Sequence, residues 1–360
     1  MANKKVLDYR CPGCNAPIIY NASLKKWKCD YCDNTFTLKQ IKEHNKFDIT
    51  KEEKIDPNYM VYKCESCGAQ IIADEQTSAT FCLYCGNTAI LKNKLAGKFE
   101  PDLIIPFKKT NDEAIVAFLS LAKGRPLIPN DFLSKTNIEK IKGIYIPFWL
   151  YDIEADGSID VAAKKVRTSR IGSTVREKTE IYDLKRTATM NFYKIPIDAS
   201  ARFDNDLMST LEPFDSKYLE EYNHAYLAGF YAEKYDFDAE QSYNGVANRA
   251  YFSTKAKMLD SCKGYSSKKI VRDNIKIKPI KKYYTLLPVW MVNVKYKGKI
   301  YTFAMNGQTG EFIGDIPIDK KKVVLYGVLI FIIVFILYVI VSFLFYLASG
   351  SGVLWKSYLY

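Results

Sequence analysis

The chain lacks the apolar stretch that a secretory signal needs near its start. Met1-Ala2-Asn3-Lys4-Lys5 leads to Asp8 and Arg10 with no hydrophobic run between, so no cleavable export signal is expected. Histidine is scarce, with His44 and His224 alone in 360 residues. Neither has a second ligand nearby, and His44 reads as a surface residue. No P-loop, dinucleotide fingerprint, Gly-x-Ser-x-Gly or His-Glu-x-x-His occurs, which leaves an enzyme as the last-ranked reading. Acidic residues are in deficit: 52 Lys and Arg face 40 Asp and Glu, a net charge of +12. Such a surplus favours nucleic acid or an anionic lipid surface, and does not choose between them.

What is present begins with cysteine. Eight of the nine cysteines form CxxC pairs near the N-terminus. Cys11 and Cys14 are followed after fourteen residues by Cys29 and Cys32; Cys64 and Cys67 are followed after fourteen by Cys82 and Cys85. The two sets are offset by 53 residues at all four positions, which makes them an internal repeat. Without an export signal these thiols belong in a reducing compartment, where such pairs bind metal.

Zinc takes four thiolates at tetrahedral corners about 2.3 Å away. Two residues between the cysteines let one tight turn present both sulfurs to one ion. The residue after each pair should tolerate positive φ, and Asn15, Asp33, Gly68 and Gly86 all do. In the first connector Ile18, Ile19 and Tyr20 read as one strand and Trp27 as its return. In the second, Ile71 and Ile72 match Ile18 and Ile19, with Phe81 just before the knuckle. The spacing therefore predicts two structural zinc ribbons (two Zn2+ ions), on Cys11, Cys14, Cys29 and Cys32 and on Cys64, Cys67, Cys82 and Cys85. A rubredoxin-like iron site is the main competitor, with disulfides third. Four thiolates leave no open position for a catalytic water. Lys25, Lys26 and Lys28 flank Trp27, which reads as a solvated hairpin face around a packed indole ahead of a nucleic-acid contact.

The expected organisation is a first ribbon over 1–38, a charged and partly helical linker over 39–60, a second ribbon over 61–92 and an α+β domain over 99–319. Thr110 and Glu113 have capping-box spacing and predict a helix ending near Gly124. A second helix is expected over about 237–261, from Asp238 through Val246, Ala250 and Lys257. β-like stretches cover 157–168, 177–188 and 191–199. Pro147-Phe148-Trp149-Leu150 and Pro288-Val289-Trp290-Met291 repeat one phrase, which predicts two related strands packed side by side. Proline inside each places it at a strand edge or bulge. Asn306-Gly307 and Thr309-Gly310 are turn signals.

Asp152, Glu154 and Asp156 would share one strand face, as a cation site or, preferably, a solvated edge. Cys262 reads as a buried, idle thiol. Lys263 to Lys282 carry eight basic residues against Asp273. That stretch is read equally as a membrane-facing patch or a soluble face.

Residues 323–348 contain no charged side chain. As a helix they span roughly 39 Å, enough for one tilted crossing of a hydrocarbon core of about 30 Å. Lys320, Lys321 and Lys322 precede them and only Lys356 follows. The positive-inside rule then places the N-terminal part in the cytosol and 349–360 outside as a short tail.

Paired ribbons, the phrases Tyr145-Ile146-Pro147-Phe148-Trp149-Leu150 and Leu287-Pro288-Val289-Trp290, and Asn306-Gly307-Gln308-Thr309-Gly310 ahead of a tail anchor resemble, over almost the whole chain, a bacterial family of TFIIB-type zinc-ribbon membrane proteins. The resemblance implies a membrane-anchored adaptor linked with phage-shock-type envelope stress, and only the eight ribbon cysteines carry over. The fold class expected is therefore α+β: two small β zinc ribbons, a β-rich middle domain with a repeated Pro-x-Trp strand, and one C-terminal transmembrane helix. The expected function is a cell-membrane scaffold whose ribbons recruit cytosolic proteins, with an anionic lipid surface as a further contact. The alternative is a tethered nucleic-acid binder.

Overall fold

The computed structural model describes residues 6–7, 9–45, 60–63, 70–73, 77–81, 88–91, 99–120, 125–129, 132, 141–201, 203, 205–297 and 299–354. In the N-terminal part, strands β1 (Val6–Leu7), β2 (Ile19–Asn21), β3 (Lys26–Lys28) and β4 (Thr35–Phe36) precede helix α1 (Leu38–His44). Strands β5 (Met60–Lys63), β6 (Gln70–Ala73), β7 (Thr77–Phe81) and β8 (Thr88–Leu91) follow. The main body holds β9 (Leu103–Ile104), α2 (Asn111–Ser120), β10 (Lys142–Ile171), β11 (Thr174–Asp198), α3 (Asn205–Thr210) and β12 (Glu220–Glu221). It continues with β13 (Tyr231–Glu233), α4 (Ala239–Asp260), β14 (Ser267–Tyr296), β15 (Lys299–Asn306) and β16 (Phe312–Gly314), and α5 (Lys320–Leu354) ends the described residues.

An 11-stranded sheet organises the body, with β10 and β14 at its centre. These two strands are 30 residues each, about 100 Å if fully extended. They pair antiparallel from Lys142↔Met291 to Lys164↔Ser267. The repeated phrases thus lie side by side, as expected. Both prolines, however, sit in central strands rather than at a sheet edge. On its other side β10 pairs parallel with β13 at Ile144 and Tyr145 and antiparallel with β11 from Phe148 onward. Pro147 is the second residue past the β13 pairing, just before β11 begins. β14 likewise pairs parallel with β9 at Thr285 and Leu286 and antiparallel with β15 from Val289. Pro288 falls in that gap. A residue without an N–H is tolerated where one neighbour has left and the next has not begun.

The body is therefore one β-α-β-β unit used twice: β9-α2-β10-β11, then β13-α4-β14-β15. The halves interlock, because each short first strand pairs with the long strand of the other half. Their local hydrogen bonds repeat. Ala199 N–H donates to Pro147 O at 3.0 Å, and Gly307 N–H to Pro288 O at 2.9 Å. Asp238 and Gln241 form the capping box of α4, and Thr110 and Glu113 make the same exchange at α2. Residues 121–124, where the sequence ends the first helix, lie outside the described set.

Both helices cover one face of the sheet, in a cluster with Tyr145, Trp149, Tyr284 and Trp290. On β10 the alternate residues Ile153, Ala155, Ile159, Val161 and Ala163 are buried, and α4 closes over them with Met258 and Cys262 at its far end. The opposite face is covered near the centre by Met208 and Leu211 against Ile146, Phe148, Leu287 and Val289. Asp152, Glu154 and Asp156 do share a face of β10, and Asp152 is ion-paired there. Asp152 accepts from Lys194 N at 2.9 Å and pairs with its ammonium at 3.1 Å. Glu154 and Asp156 stand opposite Lys278 and Lys276 of β14. Part of the basic run 263–282 is therefore a cross-strand charge ladder.

Candidate metal centre

β2, β3 and β4 form a separate three-stranded sheet, with Tyr20↔Trp27 and Trp27↔Phe36 in register. This is the hairpin expected from the connector. It carries the two knuckles so that the sulfurs of Cys11, Cys14, Cys29 and Cys32 all lie within 4.8 Å of one another. Cys11 and Cys32 approach to 3.6 Å and Cys14 and Cys29 to 3.5 Å. Four sulfurs at tetrahedral corners about 2.3 Å from one centre would be about 3.8 Å apart. The donor set therefore fits a single ion of that kind.

The knuckle turns explain the convergence. Asn15 and Asp33 have φ of 60° and 55°, the left-handed conformation expected after each pair. Gly13 N–H points at Cys11 Sγ at 3.3 Å. Burial opposes ionisation of Cys11, but backbone N–H groups at Cys14 and Gly13 and the thiols of Cys32 and Cys14 outweigh it and lower it to about 7. At Cys14 the Ala16 N–H also favours the thiolate. Desolvation and hydrogen bonding with the other three sulfurs prevail there, and it rises to about 12. Protons shared among crowded sulfurs behave this way, and a bound cation would take their place.

The module is docked on the body through Trp27, which is 2% exposed. Its indole N–H donates to Ala225 O at 2.8 Å, and its ring packs at 5.1 Å on both Tyr20 and Tyr226. Tyr20 N–H donates to Ala228 O at 3.0 Å. The indole between the lysines is thus packed, against the body as well as its own hairpin, and is not available for base stacking. Apart from Leu38, α1 lies in the stretch assigned to the linker. Its capping box joins Thr37 and Gln40, and Ile41 is fully buried. The receiving surface, Ala225 to Gly229, carries no sequence signal, because backbone carbonyls do most of the receiving. The tip is open: Cys14 is exposed, and Tyr31 is 83% exposed.

Cys64, Cys67, Cys82 and Cys85 lie outside the described residues. Ile71 and Ile72 fall in β6 and Phe81 in β7, and β7 joins the main sheet between β8 and β13. His44 is exposed at the end of α1, His224 is buried, and Cys262 is fully buried beside Met258.

At the other end, Lys320–Leu347 is a 28-residue helical span long and apolar enough to cross a membrane, and none of it is buried by the protein. Its base is fixed to the body, where Asp319 N–H donates to Leu127 O at 2.9 Å and the Lys322 ammonium to Ile128 O at 2.6 Å.

These features define a sheet-rich α+β protein with a four-cysteine cluster able to hold a metal ion and one apolar C-terminal helix. YdjG of Bacillus subtilis (strain 168) is 31% identical to it over 323 residues, covering 88% of this chain and 92% of that protein. The chain belongs to the family of that protein. No family model matches the chain, and no solved structure matches it.

Proposed function

We propose that the protein is a membrane-anchored adaptor of the TFIIB-type zinc-ribbon kind, which recruits cytosolic proteins to the cell membrane under envelope stress. The observation that carries this reading is the joining of an unburied apolar helix to a body that holds a four-cysteine tip outward. In this reading Cys11, Cys14, Cys29 and Cys32 hold one zinc ion, and Cys64, Cys67, Cys82 and Cys85 hold a second. Zinc supplies folding energy to the ribbons and no reaction, since four thiolates close its coordination. Lys320, Lys321 and Lys322 keep the body on the cytosolic side.

Tyr31 is the docking contact we favour, because a large exposed aromatic on a rigid knuckle makes a binding anchor. Its repeat counterpart in sequence is Tyr84. The test is capture from membranes in mild detergent, with nuclease, comparing the native chain with Tyr31→Ala and with Cys64→Ser/Cys67→Ser. Protein partners that survive nuclease and are lost from either variant support the adaptor. Partners retained by both variants, or lost on nuclease, would sink it.

A further inference from the structure

The hairpin of β10 and β11 runs past everything that supports it. β14 begins at Ser267, opposite Lys164, and α4 ends at Asp260. The last tie to the body is Val166 N–H, which donates to Ser266 Oγ at 3.0 Å. Beyond it the pairs from Arg167↔Lys178 to Ile171↔Thr174 continue alone, closed by Gly172 at φ 62° and Ser173. Every residue from Val166 to Thr179 is exposed. The product is a two-stranded arm reaching about 17 Å past Val166. Two strands alone are marginal in water without a surface to pack on.

The arm is basic. Lys164 to Lys178 hold six Lys and Arg residues and one acid, Glu177. Among the described residues, Lys178 pairs with Glu180 at 2.9 Å, while Arg167, Arg170 and Arg176 have no carboxylate within ion-pair distance. Directly opposite residues share a face. The register therefore groups Lys165, Arg167, Arg176 and Lys178 on one face, with Arg167 directly opposite Lys178. Like charges so placed repel, and a polyanion laid on them would relieve the repulsion.

Composition and position select the polyanion. A lipid surface takes up large apolar side chains beside the charge. No aromatic residue or leucine lies between Lys164 and Glu180. The apolar side chains present are split, with Val166 and Val175 on one face and Ile171 on the other. Thr168, Ser169, Ser173, Thr174 and Thr179 supply hydroxyls of the kind that donate to phosphate oxygens. The apolar helix α5 also leaves from the far end of the sheet. Its base is bonded to Leu127, and nearby Phe132 packs on Tyr296 and Tyr301. β14, about 100 Å if fully extended, lies between that end and the arm. The major groove of duplex DNA, about 12 Å wide, admits a two-stranded ribbon. That of duplex RNA is too narrow and deep for side chains to read.

We propose that the β10–β11 arm binds duplex DNA by entering its major groove, with Lys165, Arg167, Arg176 and Lys178 on phosphates along one side and Arg170 on the other. This contact is separate from the cysteine tip and does not rest on the adaptor reading.

Fluorescence anisotropy of a short labelled DNA duplex, titrated with the full chain in neutral detergent micelles, tests this. Saturable binding that weakens steeply with salt is expected. Arg167→Gln/Arg176→Gln should weaken it about tenfold or more at low salt. The same variant should flatten the slope of log affinity against log salt by about 1.8, the share of two phosphate contacts. Because it removes the Arg167–Lys178 repulsion, its unfolding midpoint should be unchanged or higher, which separates lost binding from lost folding. Lys25→Gln/Lys26→Gln/Lys28→Gln, on the cysteine module, should bind as the native chain does. Absence of saturable binding by the native chain would overturn the proposal, as would equal binding of duplex RNA. Loss of binding in the Lys25 variant with the arm variant unaffected would also overturn it. So would arm-dependent flotation of the chain, held in phosphatidylcholine nanodiscs, with phosphatidylglycerol vesicles and no binding of DNA, which would make a lipid surface the occupant.

Discussion

Trp149 and Trp290 make the same hydrogen bond in the two halves of the body. The indole N–H of Trp149 donates to Phe237 O at 2.9 Å, and that of Trp290 to Lys109 O at 3.0 Å. Each carbonyl lies just ahead of its helix cap, so each tryptophan ties a central strand to the start of the helix that covers it. Replacing either by Phe keeps much of the ring but leaves a carbonyl without its donor. Each substitution should destabilise the body by about 1–3 kcal/mol in chemical unfolding. Two neutral substitutions would remove the tie from the account.

Gly157 of β10 stands opposite Ile275 of β14. A Cβ there would sit 2.1 Å from the backbone oxygen of Asn274. Backbone cannot rotate aside as a side chain can, so Gly157→Ala should lower stability by roughly 1–3 kcal/mol or more. The same unfolding measurement reads it.

Metal removal should act locally. Stripping the cysteine cluster with a strong chelator should release β2–β4 from the body and expose Trp27 while β10 and β14 stay paired. Hydrogen exchange at the Tyr20 amide, bonded to Ala228 O, should accelerate greatly, with little change along β14. Trp27→Ala should undock the module even with metal present, at a cost of about 3–5 kcal/mol.

Asp198 gives the fold a pH dependence of unusual sign. Burial raises its folded carboxyl to about 7, above the value of about 3.9 for an unfolded aspartate. Its contribution to stability is therefore full below the unfolded value and is lost as pH rises through about 7, by about 1.4 kcal/mol per unit of elevation. Asp198→Asn should grow more stable relative to the native chain from about pH 4 upward and level off above about pH 8. A constant difference across that range would contradict the assignment.

Much of this was legible in the sequence. The Cys11–Cys32 spacing, the positive-φ residues Asn15 and Asp33, the cap at Thr110, the helix beginning at Asp238 and the charge-free run before Leu347 are local patterns, and local geometry follows from them. The Pro-x-Trp phrase located both central strands. Strand length was only partly legible: the β-like stretches 157–168 and 177–188 fall in β10 and β11, but not their continuation through Ser169–Arg176 to a turn, where the alternation is lost and only hydrogen-bonding to a neighbour holds the extended chain. Nor was the position of the prolines, which depends on where one neighbouring strand ends and the next begins.

Recruitment to the membrane is tested most directly by fractionating cells that carry the native chain or one lacking Val323–Leu347, and measuring where the captured partner protein lies. The adaptor account predicts that the partner sediments with membranes in the first case. In the second it should move, together with the truncated body, to the soluble fraction. A partner whose membrane-bound share is the same in both would contradict it.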